Sequence, residues 1–287
     1  MARIARVDLP KSNLKERRLR RKRIVALLLV FLVLLVFGVI VELTWLPFLR
    51  IHTIDVTGQR TVSKDEIVRS AEAEITGGYL HLFSKSNILL YPRSAIRQRL
   101  QTQFPTLASV TVQTEGLQTI GIQLVERQPL ALWCGVSIAS SSGCYLLDQT
   151  GVVYAPALVY SGDAYQKYYG PIDGASLPRQ FLDASQLRSL AVLIDILQKK
   201  QNMRVITVAV DSSGDVHLVF DSGFELIMAM AANGADVVEQ LQLAFMASPF
   251  MTHPLSDFEY LDLRFGDKLY YKLKSSAIAT STSKKKN

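Results

Sequence analysis

The stretch IVALLLVFLVLLVFGVIV, residues 24–41, determines the architecture of this 287-residue chain. It contains no polar side chain, and as a helix rising about 1.5 Å per residue it covers about 27 Å, close to the hydrocarbon thickness of a bilayer. A helix in the core of a soluble protein would instead carry polar side chains on one face. The sequence therefore predicts a transmembrane helix over residues 24–44 that contacts membrane lipid.

The segments on either side of this helix differ sharply in charge. Residues 1–23 hold ten basic and two acidic side chains, whereas the remainder of the chain is close to neutral. The positive-inside rule then places the basic tail, residues 1–23, in the cytoplasm and the bulk of the chain outside it. A cleavable signal peptide, the alternative, would have a shorter apolar run and a small-residue cleavage site. We therefore expect an uncleaved, single-pass type II anchor.

The distribution of charge also bears on possible partners. A nucleic-acid-binding surface requires a basic patch on the folded part of the protein. The excess of Lys and Arg lies in the tail, where the membrane anchor explains it. We expect no nucleic-acid partner.

Residues 49–127 carry the pattern of a small mixed domain. Residues 51–58 are typical of a strand, Ser63 begins a helix through a capping box, and Pro92 begins a second helix. Alternating apolar residues over 110–124, interrupted by a turn, predict a hairpin. The expected order is β-α-α-β-β.

Residues 128–274 are predicted to form a second domain that is rich in strands. Helices are expected after Asp183 and Asn233, and a long final strand pair is expected over residues 258–273. The Ser/Thr/Lys-rich tail at residues 275–287 is predicted to be disordered. The fold class is α+β: an anchor helix, a β-α-α-β-β domain, and a mixed antiparallel β-rich domain with two helices.

The two cysteines, Cys134 and Cys144, flank a small polar loop in the outer region. In an oxidising compartment a disulfide across this loop is favoured, and two unpaired thiols facing each other are the alternative. A metal site is not expected, because no nearby His or further Cys supports it.

Motifs that would carry catalysis are not found in the sequence. The four histidines are scattered, and there is no H-E-x-x-H, G-x-S-x-G or phosphate-binding glycine loop. We therefore expect a protein that is not an enzyme, with no cofactor and no catalytic metal.

The last predicted strand pair contains many aromatic residues. A terminal strand often lies at the edge of a sheet, where its free N–H and C=O groups can accept a partner strand. The candidate partner-binding residues are Tyr260, Arg264, Phe265, Tyr270 and Tyr271. The alternative is that this pair only completes the core.

Several short motifs follow one another along the chain: IHTIDVTG (51–58), FP (104–105), ERQPLALW (126–133), YLLDQTGVVY (145–154) and LDLRF (261–265). In order and spacing they resemble the FtsQ/DivIB family of bacterial cell-division proteins. Gly116, the cysteine loop and residues 154–178 depart from the family pattern.

This resemblance implies a POTRA domain over residues 49–127 and an FtsQ/DivIB-type β domain over 128–274. It also implies a non-enzymatic divisome scaffold in the bacterial inner membrane, at the septum, that regulates septal peptidoglycan synthesis. The family's last strand takes up an FtsB-type partner, in complex with an FtsL-type protein, and its POTRA domain recruits other division proteins. Arg264 and Phe265 are thereby implied as contact residues, and Tyr270 or Tyr271 less directly.

Two other classes of protein remain as alternatives. One is a POTRA-bearing factor for outer-membrane assembly or secretion, and the other is a membrane-anchored cell-wall hydrolase.

Overall fold

The computed structural model describes residues 14–80, 82–140, 143–158, 165–174, 176–266 and 268–275. Part of the predicted basic tail and nearly all of the predicted disordered tail lie outside these residues. The chain divides into two compact units, Met1–Gln103 with Ser109–Val125, and Phe104–Ala108 with Glu126–Asn287.

The first unit begins with a long helix that contains the apolar run. Among the described residues it is the one helix that is long and apolar enough to cross a membrane, and no part of its apolar window is buried against the protein. Its length, composition and exposure fit those of a membrane-spanning helix.

The remainder of the first unit has the predicted β-α-α-β-β order, with one additional hairpin between the two helices. Helix α2 buries Ile67, Ala71 and Ile75, which lie on one face at helical spacing. Ser63 stands at the N-cap of α2 but makes no side-chain capping hydrogen bond, so the predicted capping box is not formed. The elements are α1 (Leu14–Thr44), β1 (Thr53–Thr57), α2 (Lys64–Ile75), β2 (Gly78–Tyr79), β3 (Phe83–Ser84), α3 (Arg93–Gln103), β4 (Leu107–Thr114) and β5 (Thr119–Glu126).

Three of these strands form the sheet of the first unit in the order β1-β5-β4. Strand β1 runs parallel to β5, with Val56 opposite Ile122. Alternate residues of β5, including Ile120, Ile122 and Leu124, are buried, as expected for a sheet with one face against helices.

The second unit is a ten-stranded mixed sheet in the order β10-β8-β7-β6-β9-β11-β12-β13-β14-β15. Neighbouring strands are antiparallel except at β6–β9, β9–β11 and β13–β14, which are parallel. The elements are β6 (Pro129–Trp133), β7 (Tyr145–Asp148), β8 (Val152–Pro156), β9 (Lys167–Tyr169), β10 (Arg179–Gln180), α4 (Ala184–Gln201), β11 (Val205–Val210), β12 (Asp215–Phe220), β13 (Glu225–Ala229), α5 (Gly234–Phe245), β14 (Phe258–Phe265) and β15 (Lys268–Leu273).

Helices α4 and α5 supply the core that covers one face of this sheet. Leu187, Leu190 and Leu197 of α4 and Leu241 of α5 are buried with the apolar residues of β11 to β14. On β12 burial alternates, so that Asp215 and His217 are partly exposed while Val216 and Leu218 are buried. The opposite face is therefore polar and reaches solvent.

Candidate partner-binding edge

Strand β15 lies at one end of the ten-stranded sheet. It pairs with β14 in antiparallel fashion, with Leu261 opposite Tyr271 and Asp262 opposite Tyr270, and no second strand pairs with it among the residues that the structure describes. One side of its backbone is thus free to hydrogen-bond to an added strand. Residues 258–273 were predicted from sequence as a strand pair, and the structure forms that pair.

One face of β15 packs towards the core. Leu269 and Leu273 lie against the core of the second unit. Between them, the Tyr271 ring lies 5.6 Å from Phe250 and 5.9 Å from Phe258, measured between ring centroids. These ring contacts hold Tyr271 against the core, although part of its side chain remains exposed to solvent.

The other face of the strand pair carries an exposed aromatic pair. Phe265 is 54% exposed and Tyr270 is 50% exposed. Their ring centroids are 5.0 Å apart in an edge-to-face arrangement. Aromatic side chains often contribute a large share of the binding energy in protein interfaces, and these two are adjacent and exposed to solvent.

Arg264 is held by two carboxylates beside this pair. Its Nη2 donates to Asp262 Oδ2 at 2.6 Å, and its Nη1 donates to Asp215 Oδ2 at 2.6 Å. The guanidinium also lies 5.6 Å from the centroid of the Phe265 ring. The hydrogen bonds from Arg264 hold the pKa of Asp262 below its usual range, although burial opposes this. Arg264 thus lies beside Phe265 with its charge compensated by two carboxylates of the protein.

Tyr260 is set apart from the other candidates. It lies on β14, opposite Glu225 on one side and Lys272 on the other, and it is half-buried. The structure thus brings Arg264, Phe265 and Tyr270 together, places Tyr271 on the core-facing side of β15, and leaves Tyr260 on the inner strand.

Three exposed apolar residues near this edge were not singled out from the sequence. Leu243, Met246 and Met251 are largely exposed. They adjoin Phe245 and Phe250, which pack against each other, and Phe250 in turn contacts Tyr271. Leu243 lies off the face that α5 buries through Val237 and Leu241, and an apolar residue outside that helical spacing was the available signal. Apolar surface therefore borders β15 on its helix side as well.

The polar face of the sheet carries His217 between two carboxylates. His217 Nδ1 lies 2.6 Å from Glu225 Oε1, and its Nε2 lies 3.6 Å from Asp211. Asp211 accepts the N–H groups of Asp215 and Ser213, and these hydrogen bonds keep its pKa low. That carboxylate closes a turn. No group of three His, Cys, Asp or Glu residues suited to a metal ion occurs among the described residues.

The anchor helix, the β-α-α-β-β unit and the sheet with a free final strand define a class of protein: membrane-anchored proteins with a POTRA domain followed by a β domain. The family model for an FtsQ-type POTRA domain matches residues 49–127. The chain is also 24% identical over 230 residues to the cell division protein FtsQ of Mycobacteroides abscessus, an alignment that covers 80% of this chain. Both matches are to FtsQ-type proteins, and the alignment spans 66% of the length of that relative, just under two thirds.

Proposed function

We propose that this protein is a non-enzymatic scaffold of the bacterial divisome. Helix α1 spans the inner membrane with the N-terminus in the cytoplasm, and the two outer units gather division proteins at the septum. The similarity to a protein named for cell division supports this role. The observation that carries the binding mechanism is the free edge of β15 beside the exposed pair Phe265 and Tyr270.

The proposed partner of this edge is an FtsB-type protein, in complex with an FtsL-type protein. An added strand would hydrogen-bond to the free backbone of β15, which supplies affinity regardless of sequence. Its alternate side chains would contact Phe265 and Tyr270 on one face and the Met246–Met251 region on the other. Through this link the scaffold would regulate septal peptidoglycan synthesis. The first unit would recruit other divisome proteins.

Substituting Phe265 with Asp tests this proposal. Phe265 is more than half exposed, so the change should leave the fold intact while placing a charge in the proposed interface. We expect FtsB- and FtsL-type proteins to be lost from material co-purified from detergent-solubilised membranes. The loss of one aromatic anchor corresponds to at least about 2 kcal/mol, or a roughly 30-fold weaker complex.

The matched control is Val192→Asp, because Val192 on α4 is 60% exposed and lies outside the candidate edge. This control should co-purify the same partners as the unmodified protein. Undiminished binding by a folded Phe265→Asp protein would contradict the strand-addition proposal.

A further inference from the structure

The hairpin β2–β3 and the segment that follows it expose large apolar side chains. Leu80, in the turn of the hairpin, is 87% exposed, and Leu89 is 77% exposed. Leu82 and Leu90 are also exposed. Leu80 has a φ of +50°, which is uncommon for a bulky L-residue. Leucine side chains this exposed in a turn are unfavourable in water, since polar residues serve turns better. Residue 81, between Leu80 and Leu82, lies outside the described residues.

This hairpin is attached to the outer end of α1. The indole N–H of Trp45 donates to the Leu82 carbonyl oxygen at 2.9 Å. The side-chain amide of Asn87 donates to the Thr44 carbonyl oxygen at 3.0 Å. These contacts satisfy polar groups where the helix ends. They fix the hairpin beside the last turns of α1.

A ring contact sets the depth of the hairpin along α1. The Phe83 ring lies 6.1 Å from the Phe37 ring, measured between centroids. Phe37 is four residues inside Val41, the outer end of the apolar run, which is about 6 Å at the helical rise of 1.5 Å per residue. If α1 spans a bilayer, Phe83 therefore lies at the level of the lipid acyl chains.

An apolar cavity of about 410 Å³ lies between α1 and the hairpin. Its walls include Ile40 and Leu43 of α1 together with Tyr79, Phe83 and Leu90. The neighbouring Lys85 ammonium lies 5.6 Å from the centroid of the Tyr79 ring. Aromatic rings with a nearby Lys are typical of the boundary between acyl chains and headgroups.

We propose that the β2–β3 hairpin inserts into the outer leaflet and that phospholipid acyl chains occupy the cavity between it and α1. The inference rests on the proposed function in one respect, the spanning of the membrane by α1. The occupant is lipid because the surface is continuous with a helix whose apolar side chains are unburied on every side. Its interfacial Lys85 would meet anionic headgroups. The hairpin would thereby tie the first unit to the membrane surface.

Site-specific fluorescence tests this proposal on the full-length protein. Leu80→Cys and, independently, Leu89→Cys are labelled with an environment-sensitive fluorophore and reconstituted into phosphatidylethanolamine–phosphatidylglycerol vesicles. Both side chains are exposed, so labelling should not disturb packing. Unmodified protein treated in the same way provides the background. We expect blue-shifted emission and strong quenching by a lipid whose nitroxide lies near the headgroup, because insertion reaches about 5–10 Å.

Two control positions distinguish insertion of the hairpin from insertion of α1. Val33→Cys, in the middle of α1, should be quenched best by a nitroxide near the chain end. Gln101→Cys, on the exposed surface of α3, should not be quenched. Quenching at Val33 without quenching at Leu80 and Leu89 would overturn the hairpin insertion and leave the anchor standing. Absence of quenching at Val33 would overturn both. Blue-shifted emission at Leu80 without quenching by lipid would mean a protein occupant and would overturn the proposal.

Discussion

Arg127 and Asp148 form an ion pair at the start of the second unit. Arg127 Nη1 lies 2.5 Å from Asp148 Oδ2, and both side chains are largely removed from solvent. The other carboxylate oxygen accepts the Thr150 N–H, the Thr150 hydroxyl and the Val152 N–H. Asp148 thus accepts hydrogen bonds from the β7–β8 turn. It also compensates the positive charge of Arg127, the residue that follows β5. Both residues belong to motifs quoted above from the sequence.

Replacing Asp148 with Asn should lower the free energy of unfolding by about 3 kcal/mol, because the buried Arg127 charge would lose its partner. Urea denaturation measures this. Asp195→Asn is the control, since Asp195 pairs with Lys199 on the surface of α4 at 2.8 Å. Its cost should stay below about 0.5 kcal/mol. Equal losses in the two variants would contradict the role given to Asp148.

The same carboxyl predicts a dependence on pH. Burial raises the pKa of Asp148, but hydrogen bonds from Thr150, Arg127 and Val152 outweigh it, so the pKa lies below the ordinary 3.8. A lowered pKa in the folded state contributes stability above pH 3.8, and this contribution is lost as the pH falls through the folded-state value. The stability difference between the unmodified protein and Asp148→Asn should therefore shrink below pH 3.8. A difference that stays constant down to the lowest pH measured would argue against this origin.

Alanine substitutions at two glycines of the first unit distinguish the cost of a left-handed backbone from the cost of steric crowding. Gly58 and Gly77 have φ values of +87° and +86°. A Cβ atom at Gly58 would collide with the Leu124 carbonyl oxygen, whereas one at Gly77 would meet open space. Both Ala variants should lose about 1 kcal/mol for the left-handed backbone. Gly58→Ala should lose about 1–3 kcal/mol more, because the strand β5 must move. Thermal unfolding of the two variants in parallel measures the difference, and equal losses would count against the crowding.

At the scale of elements, the connection between β6 and β7 is closed by a covalent bond. Cys134 follows β6, Cys144 precedes β7, and the structure joins them in a disulfide. Residues 141 and 142 of this loop lie outside the described residues. A disulfide across a loop of this length contributes roughly 2–3 kcal/mol, chiefly by restricting the unfolded chain.

We expect both cysteines to resist thiol-labelling reagents until a reductant is added. Reduction should then lower the free energy of unfolding by roughly 2–3 kcal/mol. A variant with both Cys134 and Cys144 replaced by Ser should show no response to reductant. Ready labelling of both thiols without reductant would show that the bond is not formed in the cell.

Strand β15 has features that discourage aggregation through an exposed sheet edge. It is six residues long and carries Lys268 and Lys272, of which Lys272 bonds to Glu259 at 2.9 Å. Short length and lysine side chains discourage pairing between identical edges.

At the scale of the whole molecule, the positive charge and the apolar helix together predict the topology. A reporter that is active only outside the cytoplasm should be active when fused after Asn287, and inactive when fused to the N-terminus. The basic residues that precede Ile24 are the physical reason. Activity of a cytoplasmic reporter at the C-terminus would reverse the proposed orientation.

Local patterns in the sequence were sufficient for the anchor, the order of elements in the POTRA unit and the final strand pair. These patterns involve residues that are close together in the sequence. They are an unbroken apolar run, helical spacing such as Ile67 to Ala71, and two-residue alternation such as Ile120 to Ile122. These features depend on short-range geometry, which the sequence records directly. The fold class was predicted correctly for this reason, and the predicted resemblance to FtsQ/DivIB proteins is supported by the FtsQ-type POTRA match over residues 49–127.

The tertiary structure alone decided which distant segments meet. Lys167–Tyr169, within the stretch 154–178 that departs from the family pattern, form β9, a central strand between β6 and β11 with a buried Tyr168. Arg264 donates a hydrogen bond to Asp215, which lies 49 positions away along the chain. The β2–β3 hairpin reaches Phe37 of α1. Strand order, ion pairs between strands and ring contacts depend on long-range packing, which a local pattern of residues does not contain. The sequence by itself therefore determined that a final aromatic strand pair exists, while only the packing of the described strands placed β15 at the end of the sheet.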